Sequence, residues 1–200
     1  MKKAFLLCCA LLVLATAAFG DSLTPADREK GVKYFEQTRD GVVAAVKGLS
    51  PAQLNFKPAP DRWSIAEVLE HIALAEDFIF QNVSTKIMQA PAGAADRDTA
   101  KLDAMVVALI PDRSHKAHAP EPLVPTGRWT ASETLDHFLA SRAKTIAYLE
   151  STPGLRDHVV DSPLKQPLDG YEWLLFISAH SERHTKQILE VKADPNFPKN

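Results

Sequence analysis

The chain has 200 residues, 46% of them apolar and 24% charged, with a formal net charge of −2. That size and composition suit one globular domain with a substantial core. A near-neutral balance without a long basic block argues against a nucleic-acid partner.

The first residues stand apart from the rest. Lys2-Lys3 is a positive start, Ala4 to Ala18 is almost wholly apolar, and Ala18-Phe19-Gly20 sets small residues at −3 and −1. Residues 1–20 therefore read as a secretory signal peptide, with Asp21 opening an exported (periplasmic or extracellular) protein of one domain, residues 21–200. A retained anchor fits less well, because the apolar run is short of the roughly 20 residues of a membrane span. A lipoprotein reading through Cys8 or Cys9 would leave almost no apolar segment. Those are also the chain's two cysteines, so the mature part offers no disulfide, thiolate nucleophile or sulfur ligand. Any metal must be held by nitrogen and oxygen.

Thr24-Pro25 opens the first helix as N-cap and first-turn proline, and the helix is expected to run to about Lys47. Val32, Phe35, Val42, Val46 and Leu49 form its core face, with Gly31 and Gly41 weakening it locally. Leu49 to Pro60 reads as a connector in which prolines interrupt any helix. Ser64 and Glu67 then make a capping box flanked by Trp63 and Val68, starting a helix that continues through His71 to about Met88.

Gln89 to Ala100 reads as a loop, Lys101 to Ile110 as a short helix, and Pro111 to Pro125 as irregular. Arg128-Trp129-Thr130, with Glu133 and His137, repeats the earlier Arg62-Trp63-Ser64, Glu67 and His71. This helix runs to about Glu150 on a face of Leu135, Phe138, Leu139, Ile146 and Leu149. Leu155 to Pro167 is a second irregular connector, and Asp169 caps a last helix that ends before Pro195. Four main helices with long connections, and nothing alternating like a sheet, indicate an all-α four-helix bundle.

The chemistry lies with the histidines. The last helix has an apolar stripe through Trp173, Ile177, Ile188 and Val191, and at about 100° per residue His180 and His184 fall inside it. Buried imidazoles require partners for their nitrogens. His71 is surrounded on its face by Val68, Ala75 and Phe78 and should border the core; His137, among Thr134, Ser141 and Lys144, should face water. His115, His118 and His158 lie in loops, where solvation is the ordinary state.

His71, His180 and His184 thus form a candidate site for a divalent ion such as zinc or nickel, with one or more open positions. On spacing alone, core histidines hydrogen-bonded to their neighbours are an equal reading. Glu182 stands about 200° from His180 and should point to solvent, which makes it a poor base. The stripes supply no inward carboxylates for a ferritin-like di-iron site.

Leu49-Ser50-Pro51-x-x-Leu54, Trp63-Ser64-Ile65-x-Glu67-x-Leu69-x-His71-Ile72 and Glu172-Trp173-Leu174, followed by His180-x-x-Arg183-His184-x-x-Gln187-Ile188, resemble the DinB-like superfamily. That group includes DinB/YfiT-type metal-dependent hydrolases and bacterial thiol S-transferases. The resemblance implies a four-helix bundle and a divalent metal on His71, His180 and His184. Export would separate this chain from thiols kept reduced in the cytosol.

Two functions remain open at this level. One is a metal-dependent hydrolase or transferase acting on a small molecule, with Gln187 orienting a ligand or a bound water. The other is a non-catalytic exported binding or structural module. Neither needs a spanning segment in the mature protein, and exposed helix faces leave room for a homodimer.

Overall fold

A computed structural model describes residues 23–199. The segment expected to be a signal peptide, with its expected boundary at Asp21, lies outside the described residues. The elements run α1 (Pro25–Val46), α2 (Pro51–Asn55), α3 (Ile65–Thr85), α4 (Thr99–Leu109), α5 (Ala131–Ser151), β1 (Val159–Asp161), β2 (Pro167–Asp169) and α6 (Gly170–Lys192). The four long helices form the bundle, in the cyclic order α1, α6, α3, α5, and α4 lies against the outside of α6. No helix among the described residues is long and apolar enough to cross a membrane.

The helix starts follow from local chemistry. Ser64 with Glu67, Thr130 with Glu133 and Asp169 with Glu172 each form a complete capping box, which satisfies backbone N–H groups that the first turn leaves unpaired. Two expectations change. The connector after α1 contains a helix after all, because Pro51 occupies a first-turn position that needs no N–H and Ser50 closes a capping box with Gln53. The connector before α6 contains a two-stranded antiparallel hairpin, pairing Val159 with Asp169, Val160 with Leu168 and Asp161 with Pro167. Three-residue strands are too short for alternation to register in a sequence.

Gly31 also gains a reason. A Cβ there would stand 2.9 Å from Tyr171 Cε2 and 3.0 Å from Leu149 Cδ2, so the glycine lets α6 and α5 side chains close on α1.

Two apolar clusters fill the bundle. One contains Phe35, Leu74, Ile79, Leu149 and Ile177; the other contains Val42, Ile65, Leu69, Phe138 and Ile188. Along each helix a polar layer falls between them, formed by Thr38, Glu76, Arg142 and Ser181. Arg142 is fully buried. Its guanidinium donates to both Glu76 oxygens at 2.8–3.1 Å, to the Phe35 carbonyl at 2.9 Å, and to Thr38 Oγ1 and Ser181 Oγ at 2.8 Å. It also lies 4.9 Å from the Phe35 and Phe138 ring centres. The three candidate histidines lie on α3 and α6.

Candidate metal centre

His71, two turns into α3, is 3% exposed and packs beside Trp63, with ring centres 4.9 Å apart. His180 and His184 are stacked one turn apart on α6, their ring centres separated by 4.4 Å. The crossing of α3 and α6 brings His71 Nε2 to 3.2 Å from His180 Nε2 and to 3.2 Å from His184 Nε2. A ligating nitrogen from each of the three lies within 4.8 Å of the other two.

The opposite edges of these rings decide what the inner nitrogens carry. His71 Nδ1 lies 2.7 Å from the Leu123 carbonyl, which can only accept, so the proton belongs on Nδ1 and Nε2 bears a lone pair. His184 Nδ1 lies 2.8 Å from Gln187 Oε1. That amide is oriented, because the same oxygen accepts from Arg113 Nη1 at 3.3 Å. His184 Nε2 is therefore a lone pair as well. Two lone pairs 3.2 Å apart repel unless a cation lies between them.

A proton on His180 Nε2 could serve His71, but it leaves the contact between His71 and His184 unrelieved. Nitrogens held 2.0–2.1 Å from one tetrahedral ion stand about 3.3 Å apart, and the two spacings from His71 Nε2 match. The donor set fits a divalent ion.

Electrostatics keep the rings neutral, as ligands must be. Burial pushes the His184 pKa down to about 3, assisted by the facing His71 and opposed by the Gln187 hydrogen bond. His180 falls well below the usual range through burial, then through His184, His71 and Arg183. His71 is lowered by burial against the pull of the Leu123 carbonyl. His180 is the most exposed of the three, so solvent reaches the cluster from its side.

The remaining histidines lie elsewhere. His137 is half-buried, donates from Nε2 to Asp77 at 2.6 Å and stacks on Trp129. Its polar neighbours Thr134 and Ser141 are themselves buried, so that face packs more closely than its composition suggests. His115 and His118 are exposed; His158 Nδ1 lies 2.5 Å from the Ala90 carbonyl. Glu182 does not point freely into water: it accepts from Tyr34 at 2.8 Å, on a face away from the cluster.

Inward carboxylates do exist, contrary to the sequence expectation. Glu70, Glu76 and Glu172 are buried, but each is committed elsewhere. Glu70 accepts from the Thr126 and Gly127 N–H groups, Glu76 from Arg142, and Glu172 from Arg97 and the Asp169 N–H. None joins the histidine group.

What the sequence did not disclose is the part played by the connector between α4 and α5. It supplies the Leu123 carbonyl and Arg113, and Arg183 on α6 holds it by donating to the carbonyls of Ile110, Asp112 and His115. A backbone carbonyl has no sequence signature, so no pattern could have found it.

Comparison with known proteins bears on the family and the fold. The DinB superfamily model matches residues 34–188. The uncharacterized protein YuaE of Bacillus subtilis (strain 168) is 28% identical over 165 residues, covering 80% of this chain and 96% of that protein. Among solved structures, YfiT from Bacillus subtilis, described as a probable metal-dependent hydrolase with an unusual four-helix bundle topology, superposes with a TM-score of 0.57 at 16% identity. That alignment covers 89% of this chain and 93% of YfiT. A conserved protein from Enterococcus faecalis gives a TM-score of 0.54 at 16% identity, covering 82% of this chain and 94% of its own. At these identities the two structures support the shared fold alone.

Proposed function

The chain belongs to the DinB superfamily, and from its histidine cluster we propose that it binds a divalent metal ion through His71, His180 and His184. The observation behind this reading is the pair of lone pairs on His71 and His184, 3.2 Å apart with both outer nitrogens already donating. Imidazole ligands suit zinc, nickel or a similar ion. Such an ion would supply Lewis acidity at a position the protein does not fill, the chemistry of a hydrolase or transferase acting on a small molecule. The protein's own residues hold the three rings neutral, fix two of their tautomers and shield all but the His180 side from water.

Metal analysis of the purified protein is the test. Wild type should retain close to one equivalent of metal (~1). The His180→Ala/His184→Ala variant should lose affinity by more than the 10–100-fold that loss of an outer partner typically costs, roughly. Equal metal content in two folded proteins would sink the proposal.

A second reading, a non-catalytic binding module, draws on one observation. Every buried carboxylate named above is bound to another group, so no free acid or base stands at the cluster. Turnover on ester, amide or thiol-transfer panels by the metal-loaded protein would exclude it.

The N-terminal pattern supports export of the mature protein. Its N-terminal sequence after expression with the leader should begin at Asp21; an intact Met1 start would count against export.

A further inference from the structure

Resting on the metal reading, we infer that Arg113 is a positioning residue for the metal centre, acting through Gln187, so that the connector between α4 and α5 helps set the ligand geometry. Arg113 grips Glu190 with a two-pronged contact, Nε to Oε1 at 2.5 Å and Nη2 to Oε2 at 2.7 Å. With the guanidinium plane fixed on α6, Nη1 reaches Gln187 Oε1 at 3.3 Å. A carboxamide free to rotate could present its NH2 group to His184, favouring the tautomer whose lone pair faces away from the cluster. Arg113 removes that freedom, because its N–H can meet only the oxygen. His184 Nδ1 then donates to that oxygen at 2.8 Å, and its Nε2 lone pair faces the centre.

The same connector performs the equivalent task for His71 through the Leu123 carbonyl. Two of the three ligands therefore take their tautomer from one segment outside the four-helix frame. It is anchored by Arg183 near its start and by Glu70 at its end.

Charge and positioning predict opposite signs. Arg113 is a cation near a cation site, so its removal should tighten metal binding if only Coulomb's law mattered. Loss of positioning should weaken it. The experiment measures zinc affinity of the mature protein by chelator competition, and the visible spectrum of the cobalt-loaded form, for wild type, Arg113→Ala, Gln187→Leu and the double variant.

Arg113→Ala should bind zinc about 10-fold more weakly, within the range for outer-partner losses. The double variant should be no weaker than Gln187→Leu, because Arg113 acts through that residue. The cobalt bands should shift in both single variants while the metal-free thermal midpoint of Arg113→Ala stays near wild type. Arg113→Lys, which keeps the charge and loses the fork, should not recover binding. Should Arg113→Ala fold poorly, Glu190→Gln at the exposed end of the chain of contacts tests the same point and should give a smaller loss.

Unchanged or tighter binding in Arg113→Ala, losses that multiply in the double variant, or full recovery by lysine would each overturn the inference. A wild type that binds no zinc would instead overturn the metal reading beneath it.

Discussion

Replacing Glu76 by alanine is expected to destabilise the protein by about 3–5 kcal/mol, the range for breaking a buried ion pair from one side. For a domain of this length that corresponds to a fall in thermal midpoint of roughly 6–20 °C. The reason is the partner left behind. Arg142 is fully buried, and its remaining acceptors are the Phe35 carbonyl, Thr38 and Ser181, all neutral. Thr145, which donates to Glu76 at 2.8 Å, would lose that acceptor as well.

The double change Glu76→Leu/Arg142→Met should recover much of the loss, since apolar replacement of both partners removes the desolvated charge altogether. Denaturant unfolding of the wild type and the two variants measures this. A Glu76→Ala protein within about 1 kcal/mol of wild type would show that water enters the layer and solvates Arg142.

Metal removal should produce the second large effect, and its size should depend on pH. A ligand present at a thousand times its Kd stabilises the folded state by about 4 kcal/mol, so chelation should lower the midpoint markedly near neutrality. All three histidine pKa values are lowered in the folded protein, that of His184 to about 3. In the unfolded chain these groups titrate near 6.5, roughly. Below that value the unfolded state binds more protons, so the metal-free protein loses stability as pH falls from about 6.5 towards the folded-state values; above it these groups add no slope.

Protons and metal compete for the same nitrogens. The gap between loaded and metal-free midpoints should therefore be wide at about pH 7 and close only as the pH falls towards the lowered folded-state values of the three rings, about 3 for His184. Calorimetry with and without chelator measures both curves. A gap that does not change with pH would mean the stabilising ion sits on groups other than these histidines.

The helices and two of the clustered histidines were legible because each left a local mark. Capping residues announced α3, α5 and α6, and His180 and His184 interrupt an apolar stripe. His71 was separated from His137 by its neighbours, although both follow the same tryptophan motif and both rings pack against that tryptophan, at 4.9 and 4.5 Å. The buried ion pair also leaves a mark in the sequence. Arg142 sits four residues after Phe138 and four before Ile146, in the middle of the core face, and Glu76 holds the matching place between Ile72 and Ile79. Opposite charges at core positions of two helices can only be buried together. The hairpin and the connector's course were not legible, since three-residue strands have no period and main-chain hydrogen bonds leave no residue pattern.

The way the connector is fastened has a consequence for how the protein can diversify. Arg183 holds it by the carbonyls of Ile110, Asp112 and His115, His71 by the carbonyl of Leu123, and Glu70 by the N–H groups of Thr126 and Gly127. The bundle grips a peptide path and is largely indifferent to which side chains travel along it. Apart from Arg113, the buried Pro111 and Leu123, and Gly127 at a φ of 70°, the segment can be rewritten residue by residue, with its outward side chains renewed, while the nitrogens beneath keep their places.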